Sequence, residues 1–226
     1  MLEKPVADHT EDALIREVND ELREEQMMKL WQRYGGVLVV VAIVIVVIVA
    51  GYQGWKAYDI STRTSEGGRF QNALQLAQSG DTAAALSAMS ALSNDAASGY
   101  GMLAQFQEAA LLNKQGDAVN AALLYQKIAR ENIGNVAFSG LANILGIMVE
   151  INAGGYDPKA LEFRLTSIAD DVHPYRYSAR ELLGIIALEA GDSEKAKAAF
   201  TNLSNDDTAP KGLRERAKNL LQRLGA

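Results

Sequence analysis

The chain has 226 residues, with 22 Lys+Arg against 28 Asp+Glu, a formal net charge of −6 and a pI near 5.1. That balance argues against a nucleic-acid binder, which needs a dense cationic face to displace counterions from phosphates. With no Cys and only His9 and His173, thiolate nucleophiles, disulfides and Cys/His zinc sites are excluded. Sparse aromatics, 4 Pro and abundant Ala and Leu predict a helix-rich chain.

Residues 1–33 form an acidic tail, with 9 acids and 5 bases. Residues 1–11 are expected to be disordered. From Asp12 to Arg33 acids alternate with Arg and Lys, and no Gly or Pro intervenes, so the segment is predicted helical. Ile15, Val18 and Leu22 share one face, but Glu25 and Gln26 interrupt the stripe, which argues against a coiled coil.

Residues 34–55 carry no charge, and Val37 to Ala50 contains only Val, Ile, Leu and Ala. At about 1.5 Å per residue the stretch reaches roughly 33 Å, the thickness of a hydrocarbon core. Its Val, Ile and Leu residues favour insertion by about 4 to 7 kcal/mol. Many are β-branched, which in water favours strand, but in lipid the unpaired peptide groups impose helix. Trp31 and Tyr34 flank one end and Tyr52, Trp55 and Tyr58 the other, as interfacial aromatic belts do. The long acidic segment before the span is unlike the short basic n-region of a signal peptide, so an uncleaved anchor is expected. Arg16, Arg23, Lys29 and Arg33 precede the span, and Lys56, Arg63 and Arg69 follow it. This slight bias favours a cytoplasmic N-terminus and an exported domain over residues 56–226.

Within that domain Gly-Asp recurs at Gly80-Asp81, Gly116-Asp117 and Gly191-Asp192, with apolar helical periodicity before and after each pair. Gly permits the left-handed conformation that ends one helix, and Asp caps the next. Gly155-Tyr156-Asp157-Pro158 is a fourth such turn, with Pro at the first helical position. The cap aspartates at 81, 117, 157 and 192 are spaced 36, 40 and 35 residues apart. Four residues after three of them stand Ala85, Ala121 and Ala196, and four further on Met89, Tyr125 and Phe200. A small residue one turn from a large one lets a neighbouring helix approach while the large one fills the adjacent groove. Leu183, Gly184 and Ala187 complete the tetratricopeptide pattern in the last unit. The third unit departs from it, with Leu161 in the small position and an elongated turn. The predicted fold is all-α: one transmembrane helix, then a tetratricopeptide-like solenoid of about four hairpins. A final helix after Pro210, striped by Leu213, Ala217, Leu220, Leu221 and Leu224, caps the solenoid end.

No catalytic constellation emerges. A Ser-His-acid triad would need His9 or His173, and His173 precedes Pro174, which favours an extended turn residue. Asp170-Asp171 and Asp206-Asp207 read as turn caps, and no EF-hand or phosphate loop is present. Neither a cofactor nor a metal is expected, and the chain is read as a non-enzyme. Binding remains. In a tetratricopeptide array the first helix of each unit lines a concave groove, which places Phe70, Leu74, Leu103, Phe106, Ala110, Ile185 and Leu188 there, with Glu181 beside them. A largely apolar groove suits an amphipathic helix or an unfolded segment. Filling by the C-terminal helix or by a second copy is equally open.

The run Trp31-Gln32-Arg33-Tyr34-Gly35 entering the span, Gly51 and Gly54-Trp55 leaving it, and the degenerate repeats together resemble the bacterial ancillary SecYEG translocon subunit (YfgM-like) family. The resemblance implies an inner-membrane protein with a periplasmic repeat domain. It also implies association with the Sec translocon and a membrane-anchored periplasmic chaperone, in the service of exported proteins, and no catalytic residue. A cytosol-facing membrane-anchored receptor or an assembly or cell-division scaffold is the alternative.

Overall fold

The computed structural model describes residues 8–225, and among them every regular element is an α-helix. The chain divides into two compact units, residues 1–61 and 62–226. Helix α1 (Asp8–Gln78) contributes to both. Of the expected disorder over 1–11, residues 1–7 lie outside the described residues and 8–11 are helical.

In the first unit every large side chain from Val37 to Val49 is exposed. A helical stretch apolar on all sides and exposed along its length fits a lipid surround. Trp31, Tyr34, Tyr52 and Trp55 are likewise exposed. The Tyr52 and Trp55 rings lie 6.4 Å apart, and the Arg33 guanidinium lies 5.8 Å from the Tyr34 ring centre. This helix is long and apolar enough to cross a membrane.

The second unit is a series of helical hairpins. The end of α1 pairs with α2 (Thr82–Asp95), α3 (Tyr100–Lys114) with α4 (Ala118–Glu131), α5 (Val136–Ala153) with α6 (Pro158–Thr166), and α7 (Arg176–Glu189) with α8 (Ser193–Asn205). Helix α9 (Lys211–Arg223) closes the series. Gly80, Gly116 and Gly191 have φ of 90°, 89° and 82°, the left-handed conformation for which the turns select Gly. The side chains of Asp81, Asp117 and Asp192 accept from the backbone N–H groups of Ala84, Asn120 and Lys195. Asp157 caps α6 in the same way, with Pro158 at its start. Asn135 caps α5 by accepting from Phe138 N–H.

Where two hairpin helices cross, side-chain size sets their separation. In the first, second and fourth hairpins the matching positions of the two helices are both small, Ala73 and Ala85, Ala109 and Ala121, Gly184 and Ala196, and all of them are buried. The third hairpin has Ile147 and Leu161 in the matching positions. Two bulky side chains hold α5 and α6 apart, and these helices approach each other far less than α3 and α4 or α7 and α8 do. Helix α5 packs instead on α4, and Ile144, Ile147, Leu161, Leu165, Leu182 and Ile186 join α5, α6 and α7 in one core cluster. Although α5 is itself long and apolar enough to cross a membrane, it is a core helix of this solenoid. Helix α9 buries Leu213 and Ala217 against the cluster that holds Phe200 and Leu203.

Candidate partner-binding surface

The first helices of successive hairpins meet along one side in the second half of the domain, where α7 contacts both α5 and α9. Between these three helices lies a cleft of about 520 Å³. Ile144, Met148, Leu182, Ile185 and Leu220 give it an apolar wall. Its polar end is built on Glu181, a carboxylate only 8% exposed. The Arg216 guanidinium clamps that carboxylate through Nε at 2.7 Å and Nη2 at 2.8 Å. These hydrogen bonds to Glu181 push the Arg216 pKa up. The clamp uses both carboxylate oxygens, and Asn219 and Arg223 extend the polar end beside it.

The sequence-derived groove residues fall in three environments. Ile185 lines the cleft. Leu103, at 43% exposure, and Ala110 are exposed on α3. Phe70, Leu74, Phe106 and Leu188 are half-buried and pack on core clusters. The Phe70 ring lies 5.8 Å from Tyr100 and the Phe106 ring 6.1 Å from Tyr125, both within the range of tilted aromatic pairing.

The sequence left the phase of the third unit open, so no residue of α5 was placed in the groove. The Gly154-Gly155-Tyr156-Asp157 turn is longer than the Gly-Asp turns, so alignment on the cap aspartate and alignment on the glycine give different phases for α5. Aligned on the helix-ending glycines 80, 116, 154 and 191, Met148 becomes the counterpart of Leu74, Ala110 and Ile185. Ile144 becomes that of Phe70, Phe106 and Glu181. The signal was therefore present in the glycines.

The remaining candidate residues serve turns. His173 Nδ1 accepts from Tyr175 N–H at 3.1 Å. Asp206 accepts from the backbone and hydroxyl of Thr208. Asp171 pairs with Arg180, and Asp207 with Arg214 at 3.0 Å.

Against known proteins, the family described as tetratricopeptide repeat-like domain matches residues 28–224. The chain belongs to that family. No curated protein and no solved structure matches it. A tetratricopeptide repeat-like domain is a protein-interaction scaffold, because stacked hairpins expose long concave surfaces.

Proposed function

We propose that this chain is an inner-membrane-anchored scaffold or chaperone accessory of the Sec translocon, holding its repeat domain in the periplasm to bind partner or exported client proteins. The observation that carries the reading is the combination of an aromatic-flanked apolar helix with a tetratricopeptide repeat-like domain whose cleft has an apolar wall. Such a wall accepts the apolar face of a helix or an unfolded segment. The assignment to the translocon and to a membrane-anchored chaperone rests on the resemblance of the segment Trp31–Gly35, Gly51 and Gly54-Trp55 to the ancillary subunit family. The slight excess of Lys and Arg before the span supports the orientation.

Co-purification from detergent-extracted membranes tests this function. Leu103 and Met148 are both 43% exposed, so Leu103→Glu and Met148→Glu change the binding face without burying a charge. Recovery of translocon subunits or the chaperone with the wild type, reduced at least about fivefold in one of these variants at unchanged melting temperature, is the expected result. Recovery of cytosolic assembly or division proteins alone favours a cytosol-facing scaffold.

A further inference from the structure

The loose third hairpin leaves a second recess on a different face of α5 from the one that lines the α5–α7–α9 cleft. This recess, of about 480 Å³, lies between α4, α5, α6 and the turn that carries His173. Arg130 and Arg164 line it, with Gln126, Asn143 and His173, and no carboxylate does. In a chain of net charge −6 that is an unusual concentration of donors.

Arg164 gives Nη1 to Glu150 at 2.7 Å, while its Nη2 is buried with no hydrogen-bond partner among the described residues. Buried guanidinium N–H groups are normally satisfied. Glu150 is committed to Arg164 and to Gln126. Arg130 is exposed and forms no ion pair among the described residues. His173 accepts at Nδ1 from Tyr175, so its neutral form carries the proton on Nε2 as a donor. With Arg164 balanced by Glu150, the recess has one uncompensated positive charge and several donors.

Ile133, Phe163 and Val172 are 82%, 83% and 88% exposed. Ile133 lines the recess, Phe163 stands one helical turn from the lining residue Ser167, and Val172 adjoins His173. Large apolar side chains at this exposure, grouped on the segments that form a donor-rich recess, mark a protein contact.

We propose that this recess docks an acidic segment of a protein partner, its carboxylate entering between Arg130 and Arg164 and its apolar neighbours resting on Ile133, Phe163 and Val172. One uncompensated charge matches a single carboxylate. A phosphate would bring nearly two charges and would leave the apolar side chains uncovered. The inference rests on the protein-interaction reading of the domain but on none of the groove residues.

The test uses the full chain in detergent and two immobilised peptide pools, Ser-Ser-X-X-Glu-X-X-Ser-Ser and its Gln counterpart, with X drawn from Leu, Ile, Val and Phe. The Glu pool is expected to bind about 10-fold tighter than the Gln pool. Arg130→Gln should abolish that preference, and Phe163→Ser should weaken both pools. Both substitutions alter exposed side chains, so the melting temperature should stay at the wild-type value. Leu103→Glu should leave the preference intact, which separates this site from the groove. Equal binding of the two pools, binding of neither, or a preference that survives Arg130→Gln overturns the proposal. Full competition by millimolar acetate also overturns it, by assigning the recess to small free carboxylates.

Discussion

Gly184 on α7 lies against the Phe200 ring on α8 so closely that a Cβ at Gly184 would fall 2.6 Å from Cε1 of that ring. Phe200 is fully buried, so it has no free space into which to retreat. Gly184→Ala gains about 1 kcal/mol of helix propensity, but overpacking costs about 1–3 kcal/mol. The variant is expected to be less stable by about 1 kcal/mol, with a melting temperature lower by a few degrees. Gly212→Ala, where a Cβ meets nothing within 4 Å, should not be destabilised. Thermal melts of the two variants compare crowding with propensity directly.

A fragment covering residues 61–226 is expected to be soluble and mostly helical, because its four core clusters draw only on residues from Phe70 onward. Ending that fragment before Pro210 removes Leu213 and Ala217 from the cluster of Phe200 and Leu203, and takes Arg216 from the buried Glu181 carboxylate. The combined loss is roughly 5 kcal/mol, comparable with the whole stability of many domains. Circular dichroism should show a cooperative melt for the longer fragment and a strongly lowered or absent one for the shorter.

Acid should destabilise the repeat domain in two stages. His173 has its pKa lowered from 6.5 by burial, with Asp170 pulling the other way. Glu66 has its pKa lowered from 4.5, first by the Ser98 hydroxyl and then, against the cost of burial, by the N–H groups of Ala97 and Ser98 at 2.8 and 3.1 Å. Each group binds its proton less readily when folded than when unfolded. Its contribution is therefore complete above the ordinary value and is lost as pH falls through the lowered folded value. Urea midpoints measured against pH should decline first below about 6.5 and again below about 4.5. His173→Gln should remove the first decline, and Glu66→Gln should reduce the second, to which Asp206, held low first by the Thr208 hydroxyl, also contributes. Unchanged pH profiles in both variants would contradict these assignments.

Much of this architecture was legible in the residues themselves. The Gly-Asp turns could be read because positive φ and N-capping are local demands that few residues meet. The aromatic-flanked apolar helix was legible for the same reason, since length and composition decide it. The third hairpin was harder to phase, because the Gly154–Asp157 turn breaks the period on which alignment relied. Its loose closure depends on Ile147 meeting Leu161, a pairing between helices that periodicity along one helix does not reveal. The same limit applies to Phe106. Helical spacing puts it on the groove face, yet its partly buried packing depends on Tyr125 of the next helix. The recess between Arg130 and Arg164 is wholly tertiary, since its lining residues come from three helices and two turns.

The most direct test of an anchored, exported scaffold is protease accessibility of the repeat domain in cells. Protease added to intact spheroplasts should digest residues 62–226, while an epitope placed ahead of residue 12 stays protected until the membrane is lysed. A repeat domain that survives in intact spheroplasts and is degraded only after lysis would put it on the cytosolic side and contradict the proposed function.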